Sequence, residues 1–241
     1  MNDSNQLWYS ENIAIFRGIC PSEYATSDDR SGSGLNRLYR KGEYLFRAND
    51  PVDRIFLLES GRVKVGSYSD SGKEIIKAIL QPGEVFGEQL LLGQDRRHNF
   101  AQAVDKEVRV CALDLAHLRQ LIHRNPEFGL RITRTLSLRV DHTERRLEAL
   151  VSKDARTRIV EFLRDLADEN GRPVGDEILI YNFLTHKDIA SLTATSRQTV
   201  TSVLNELRDQ NLIYFDRKRF LIRNIDRLMA SVQQPMNRMV N

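Results

Sequence analysis

The sequence predicts an α+β protein: an N-terminal antiparallel β-barrel, one long helix, and a small helical domain finished by a β-hairpin. Three observations predict it. Residues 40–113 break into short apolar runs separated by glycine-centred turns at Gly42, Gly61, Gly72, Gly83 and Gly87, the rhythm of an all-β barrel or sandwich. After Asn125-Pro126, a helical pattern carries Thr133, Leu136, Val140, Thr143, Leu147 and Leu150 at alternating spacings of three and four. In TSRQTVTSVLNEL, residues 195–207, Val200, Val203, Leu204 and Leu207 fall at i, i+3, i+4 and i+7, a single apolar stripe at helical period.

The composition bounds these readings. With 241 residues, 41% hydrophobic and 29% charged, the chain suits two modest domains with a core each, and no apolar run is long enough to span a bilayer. The opening MNDSNQLWYSENIAIF lacks a basic region followed by an apolar block, so it is not expected to be a secretory signal, and the protein is expected in the cytoplasm with no membrane partner. Cys20 and Cys111 are the only cysteines. Without CxxC spacing they are expected to be reduced thiols, with no iron-sulfur cluster and no metal site. The net charge of +3 is mild, but from residue 185 onward nine Lys and Arg face five Asp and Glu, so the basic surplus gathers at the C-terminal end. No P-loop, GxSxG, HExxH or Cys-His constellation occurs, and an enzyme is not expected.

In chain order, the N-terminal 25 residues are expected to form a helix or arm on the barrel, and SGSG at 31–34 a flexible loop. The barrel domain is expected to end at residue 124, the long helix to span 125–152, and the C-terminal domain 153–241. Pro126 suits a first helical turn. The six residues from Thr133 to Leu150 make the a/d seam of a coiled coil, with Arg139, Asp141, Glu144, Arg145 and Arg146 on the other faces. The stripe either pairs two copies, the expected use, or packs against its own chain. Thr143 interrupts it, to fix register or to receive a ligand.

Residues 153–168 predict a further amphipathic helix and ENGRPVG a loop. LTHKDIASLTATSRQTVTSVLNELRDQNLI then holds two short helices joined by a tight turn, the first capped by Thr185 and the second by Thr195 or Ser196. Ile189, Ala190, Leu192, Val200, Val203 and Leu204 are their expected core. This is a helix-turn-helix pattern, whose second helix enters the major groove of DNA. The DNA-facing candidates are Thr185, Thr195, Ser196, Arg197, Gln198, Thr201, Ser202 and Asn205, mostly short hydrogen-bonding groups where a solvated face would hold Lys and Glu. IYFDRKRFLIR adds a hairpin wing with Arg217, Lys218 and Arg219 at its tip, placed to neutralise phosphates. Two plainer readings stay open: Gln198 as the last member of a capping box begun by Thr195, and the basic tip as a solvated turn.

The order of barrel, long helix and winged helix-turn-helix, together with PGEVFGEQLLLG, NPEFGLRITRTLSLRV and TSRQTVTSVLNELRDQNLI, resembles the Crp/Fnr family of bacterial transcription regulators, from about residue 40 to residue 223. The resemblance implies a jelly-roll barrel that senses an effector and a homodimer paired through its long helices. It further implies winged domains that bind a palindromic site on double-stranded DNA and contact RNA polymerase as an activator. Gly87 and Glu88 match the pair that offers a carboxylate to the ribose of a cyclic nucleotide. Arg97, with Arg96 beside it, matches the arginine that grips the phosphate, a role suited to a guanidinium fork. His98 stands where a small hydroxyl residue is expected, the loop is shorter, and Thr143 falls where such members touch the base. The departures leave the effector open between a cyclic nucleotide, another small anionic metabolite such as a 2-oxo acid, none at all, and haem. Haem would need His98, His142, Cys111 or Cys20 as an axial ligand, and Glu88 and Arg97 could equally form an ion pair in a turn.

In the recognition helix, Ser196, Arg197, Thr199 and Val200 keep the family pattern, while Gln198 replaces a Glu and Ser202 a second Arg. Arg197 suits guanine O6 and N7, and Gln198 suits adenine N6 and N7. The competing function is a ligand-binding module that acts through protein contacts.

Overall fold

The computed structural model describes residues 25–26, 36–181, 184–216 and 219–232. The expected N-terminal arm, the SGSG loop and the wing-tip residues Arg217 and Lys218 lie outside the described residues. The chain divides into two compact units that meet inside the long helix, between His142 and Thr143. The three-part division read from the sequence puts its boundaries at the two ends of that helix instead.

The first unit holds β1 (Ala25–Thr26), β2 (Asn36–Arg40), β3 (Tyr44–Phe46), β4 (Ile55–Ser60), β5 (Val63–Tyr68), β6 (Glu74–Leu80), β7 (Val85–Phe86), β8 (Phe100–Ala103) and β9 (Glu107–Leu113). They form a five-stranded sheet in the order β1-β2-β9-β4-β7 and a four-stranded sheet in the order β3-β8-β5-β6. Pairing is antiparallel as expected, except that β1 runs parallel to β2. The sequence IFLLES of β4 does not alternate, because both of its faces are covered. Phe56 and Leu58 join Phe46, Val63, Phe86 and Val110 in one core cluster. Ile55 and Leu57 join Leu118, Phe128 and Ile132 of the following helices in a second. Those helices are α1 (Leu115–Arg124), capped by the Asp114 carboxylate, and α2 (Pro126–Ser152), which runs for 27 residues. Cys111, buried in the second cluster, is disulfide-bonded rather than the reduced thiol expected from the sequence. Its partner lies outside the described residues.

The α2 stripe differs in register from the one read in the sequence. Val140, Leu147 and Leu150 are exposed, but Leu136 packs against the barrel's second cluster. Leu130 and Val151 are exposed instead, at 65% and 87%. Leu130, Thr133, Ser137, Val140, Glu144, Leu147 and Val151 restore the alternation of four and three along one exposed line. The shift arises because α2 presents one flank to the sheet, and sequence periodicity alone does not say which apolar flank that is.

The second unit contains α3 (Ala155–Asn170), capped by Asp154, whose side chain accepts from the Thr157 amide at 2.7 Å. There follow β10 (Arg172–Val174), β11 (Glu177–Tyr181), α4 (His186–Leu192), α5 (Arg197–Asp209), β12 (Ile213–Phe215), β13 (Arg219–Ile222) and α6 (Ile225–Ala230). The expected ENGRPVG loop is partly strand: the expected hairpin of β12 and β13 forms one side of a four-stranded sheet ordered β10-β11-β13-β12, with β10 and β11 completing it. Pro173 is tolerated because β10 is an edge. Ile180, Ile213, Phe220 and Ile222 are buried, while Tyr181 and Tyr214 are exposed, so alternate residues of each strand face opposite ways.

Candidate nucleic-acid interface and effector turn

The pair α4 and α5 is built from its caps inward. Thr185 and Asp188 form a reciprocal capping box at the start of α4. Ser196, and not Thr195, caps α5 by accepting from the Thr199 amide at 2.9 Å. Val200, Leu204 and Leu207 are fully buried, and each contributes about 1.5–3 kcal/mol to holding the helix. The opposite face is left outward: Arg197, Gln198 and Ser202 are exposed, Thr201 and Asn205 half-buried. The guanidinium of Arg197 and the amide of Gln198 carry no side-chain hydrogen bond among the described residues. With Ser196 as the cap, Gln198 is the second helical residue, so the capping box proposed for Thr195 and Gln198 does not form.

Thr201 is less free. Its hydroxyl donates to the Arg197 carbonyl at 2.9 Å and lies 2.9 Å from Nδ1 of His186. With that proton committed, the hydroxyl accepts from an Nδ1–H. Burial first, and the positive charge of Arg197 second, hold the His186 imidazole below its ordinary pKa, so it favours the neutral form. At the wing, Arg219 is exposed, and its Nε and Nη2 both donate to the Asp216 carboxylate at 3.2 and 3.1 Å.

The turn between α4 and α5 is strained and clamped. Ala194 has a φ of 48°, a left-handed conformation that costs a residue with a Cβ about 1–2 kcal/mol. The Leu192 carbonyl accepts from Arg146, and the Thr193 and Ala194 carbonyls accept from Arg158. Burial lowers the pKa of Arg146, with Glu169 opposing.

In the barrel, the turn after β7 brings Gly87, Glu88 and Arg97 together, but with the arginine facing inward. Arg97 is 2% exposed. Its Nη1 donates to the Gly87 carbonyl at 3.2 Å, its Nη2 to the Arg54 carbonyl, and its guanidinium lies 4.3 Å from the centre of the Phe46 ring. Burial lowers its pKa, and Asp53, Glu88 and Asp50 oppose that shift. Gly87 has a φ of 80°, and a Cβ there would meet Arg97 Nη1 and the Arg54 carbonyl oxygen at 3.1 Å, so this close approach requires glycine. Glu88 faces Arg139 of α2 at 3.5 Å, and the same arginine reaches Glu84 at 3.2 Å and the Val85 carbonyl at 2.6 Å. Arg96 is exposed and donates to the Asn49 carbonyl at 3.2 Å, and His98 is exposed. Thr143 belongs to the second unit. In this arrangement the Arg97 fork is engaged by backbone carbonyls, and one Glu88 carboxylate oxygen faces Arg139. No group of three or more His, Cys, Asp or Glu able to hold a metal occurs among the described residues, and none of their helices is long and apolar enough to cross a membrane.

Residues 36–125 match the cyclic nucleotide-binding domain and residues 157–231 the Crp-like helix-turn-helix domain. The global nitrogen regulator of Synechococcus elongatus is 33% identical over 187 residues, 77% of this chain and 84% of that protein. The CRP-like cAMP-activated global transcriptional regulator of Mycobacterium tuberculosis is 30% identical over 215 residues, 89% of this chain and 94% of that protein. The chain belongs to the Crp/Fnr family. Among solved structures, a CooA mutant from Carboxydothermus hydrogenoformans superposes with a TM-score of 0.70 at 26% identity, covering 82% of this chain and 87% of that one. The fold is therefore that of Crp/Fnr proteins, and the relatives are transcription regulators carrying a DNA-binding helix-turn-helix.

Within this family frame, sequence reasoning missed four residues that hold the sites together: Arg139, Arg146, Arg158 and His186. In the sequence Arg139 and Arg146 are only charges on the faces of a helix away from its apolar seam. Their signal lies in partners more than 40 positions away in sequence, such as Glu84 and Leu192, which periodicity cannot register.

Proposed function

We propose that the protein is a homodimeric, cytoplasmic transcription regulator that binds a palindromic DNA site through α5 and acts by contacting RNA polymerase. The observation that carries this reading is the outward N-terminal face of α5. Arg197 and Gln198 stand exposed on a helix whose other face is fully buried, the arrangement needed to carry side chains to base edges in a major groove. Arg197 reads a guanine and Gln198 an adenine beside it. Thr185, Thr195, Ser196, Ser202, Asn205 and the wing residues Arg217, Lys218 and Arg219 make the supporting contacts, chiefly to phosphates. Pairing uses the exposed line through Val140, Leu147 and Val151 of α2. The effector seat is the turn of Gly87, Glu88, Arg96, Arg97 and His98. A small anion, such as a cyclic nucleotide, displaces carbonyls from Arg97 when it binds, so binding and rearrangement of the turn are one event.

Selection from a randomised duplex library tests the reading. Enrichment of a palindrome with one firm guanine per half-site, half-sites about one helical turn apart and affinity falling steeply with salt is the expected result. No enrichment and a flat salt response would favour a module that works through protein contacts. Replacing Val140 and Leu147 together by Glu is expected to give monomers in sedimentation that no longer bind the palindrome.

A further inference from the structure

Three consecutive backbone carbonyls at the turn between α4 and α5 are each held by an arginine from another helix. Arg146, near the end of α2, directs Nε and Nη2 to the Leu192 carbonyl at 3.2 and 2.6 Å. Arg158, in the first turn of α3, directs Nε to the Thr193 carbonyl at 3.0 Å and Nη2 to the Ala194 carbonyl at 3.2 Å. Its Nη1 returns to the Lys153 carbonyl at 2.7 Å, just beyond the end of α2. The last carbonyls of a helix lack intrahelical donors. Here they are supplied from outside, at the point where the left-handed Ala194 redirects the chain into α5.

The two arginines tie the turn to different things. Arg158 fixes it within the C-terminal domain. Arg146 fixes it to α2, one residue before Leu147 on the exposed apolar line. At 100° per residue, Arg146 occupies the flank next to Leu147, so the same turn of helix presents an apolar group outward and a guanidinium to the carbonyl at the end of α4. Burying a guanidinium for this contact is costly, and an apolar side chain would fill the volume without that penalty. What the guanidinium adds is direction: two N–H groups in a fixed fork on one oxygen.

We propose that Arg146 is a positioning residue for DNA recognition. Through the Leu192 carbonyl it sets the angle of α5 relative to the helix that pairs the two subunits. The inference rests on the proposed reading of α2 as the pairing element and α5 as the base-reading helix. A two-fold site demands two recognition helices at one spacing, so loosening this contact costs selective binding while leaving the charge attraction to any duplex.

The test uses the full chain and its variants R146K, R146Q and R146M. Affinities are measured for the palindrome that the parent selects and for a scrambled duplex of equal length, with dimer mass from sedimentation. R146M is expected to keep the dimer mass and the scrambled-duplex affinity but to lose at least tenfold on the palindrome. R146K, which retains a donor for the Leu192 carbonyl, is expected to recover most of that loss, and R146Q less. Amide exchange in residues 193–196 should quicken in the same order. Should R146M not fold, the Arg, Lys, Gln series decides. A flat series, or equal losses on both duplexes, overturns the proposal while the DNA-binding reading stands. A parent that selects no palindrome overturns both.

Discussion

Arg97 and Arg197 carry the same side chain into opposite circumstances. Arg97 lies inside the barrel turn with its fork on the carbonyls of Gly87 and Arg54 and its face against Phe46. Arg197 stands at the outer start of α5, exposed and without a side-chain partner among the described residues. One guanidinium holds its own backbone together, and the other keeps its donors for something else. A sequence motif names the residue type suited to an anion or a base. Only the surrounding fold says whether the donors are already engaged.

The largest effect is expected at the buried member of the pair. Arg97→Ala removes two charge-assisted bonds, from the Arg54 carbonyl and from a Gly87 carbonyl that keeps only the Leu90 amide, which should lower stability by about 2–3 kcal/mol in denaturant unfolding. If the variant instead unfolds like the parent, Arg97 does not hold the turn together and the contrast collapses. The exposed member should behave the other way. Arg197→Ala is expected to leave unfolding unchanged while costing about 1–3 kcal/mol of palindrome affinity and relaxing choice at one guanine. Gln198→Glu should move the neighbouring preference toward cytosine, and an identical selected sequence would remove Gln198 from base reading.

Smaller effects probe the support beneath Arg197. Ala194→Gly relieves the left-handed strain and should stabilise the second unit by about 1 kcal/mol, since glycine adopts that conformation freely. A loss of stability would mean that the flexibility added to the unfolded chain outweighs the strain relieved. The smallest concerns His186. Because its folded pKa is lowered, the unfolded chain binds the proton more readily. Its contribution is therefore complete above the ordinary histidine value of about 6.5 and is lost as pH falls through the lowered folded value. Unfolding midpoints should decline below about pH 6.5, and His186→Gln should remove that part of the slope. A slope of equal size in the variant would assign it to other groups.

The framework was legible where local chemistry repeats. Glycine turns marked the strands, Asn125-Pro126 marked the start of α2, and the i, i+3, i+4, i+7 stripe of α5 named its buried residues. Legibility ended where a choice depended on distant chain. Spacing draws the α2 seam through Leu136 because it shows that a flank is apolar without showing which flank the barrel covers. Strand β10 is hidden because ENGRPVG has turn composition and becomes strand only by pairing with β11, which itself pairs with the distant β13. The direction of Arg97 and the engagement of Glu88 by Arg139 depend on packing between segments more than 40 positions apart.

The C-terminal sheet, with buried Phe220 and Ile222 on one side and exposed Tyr181 and Tyr214 on the other, limits how relatives of this chain can vary in length. A single residue inserted at the start of β13 would break its register and set Arg219 and Leu221 against Phe220 and Ile222 for the places on the core side. Insertions at the tip, between Asp216 and Arg219, leave that alternation untouched. Natural length variation in the hairpin should therefore be free between its strands and come in pairs along them, letting a lineage lengthen this loop without rebuilding the domain that carries it.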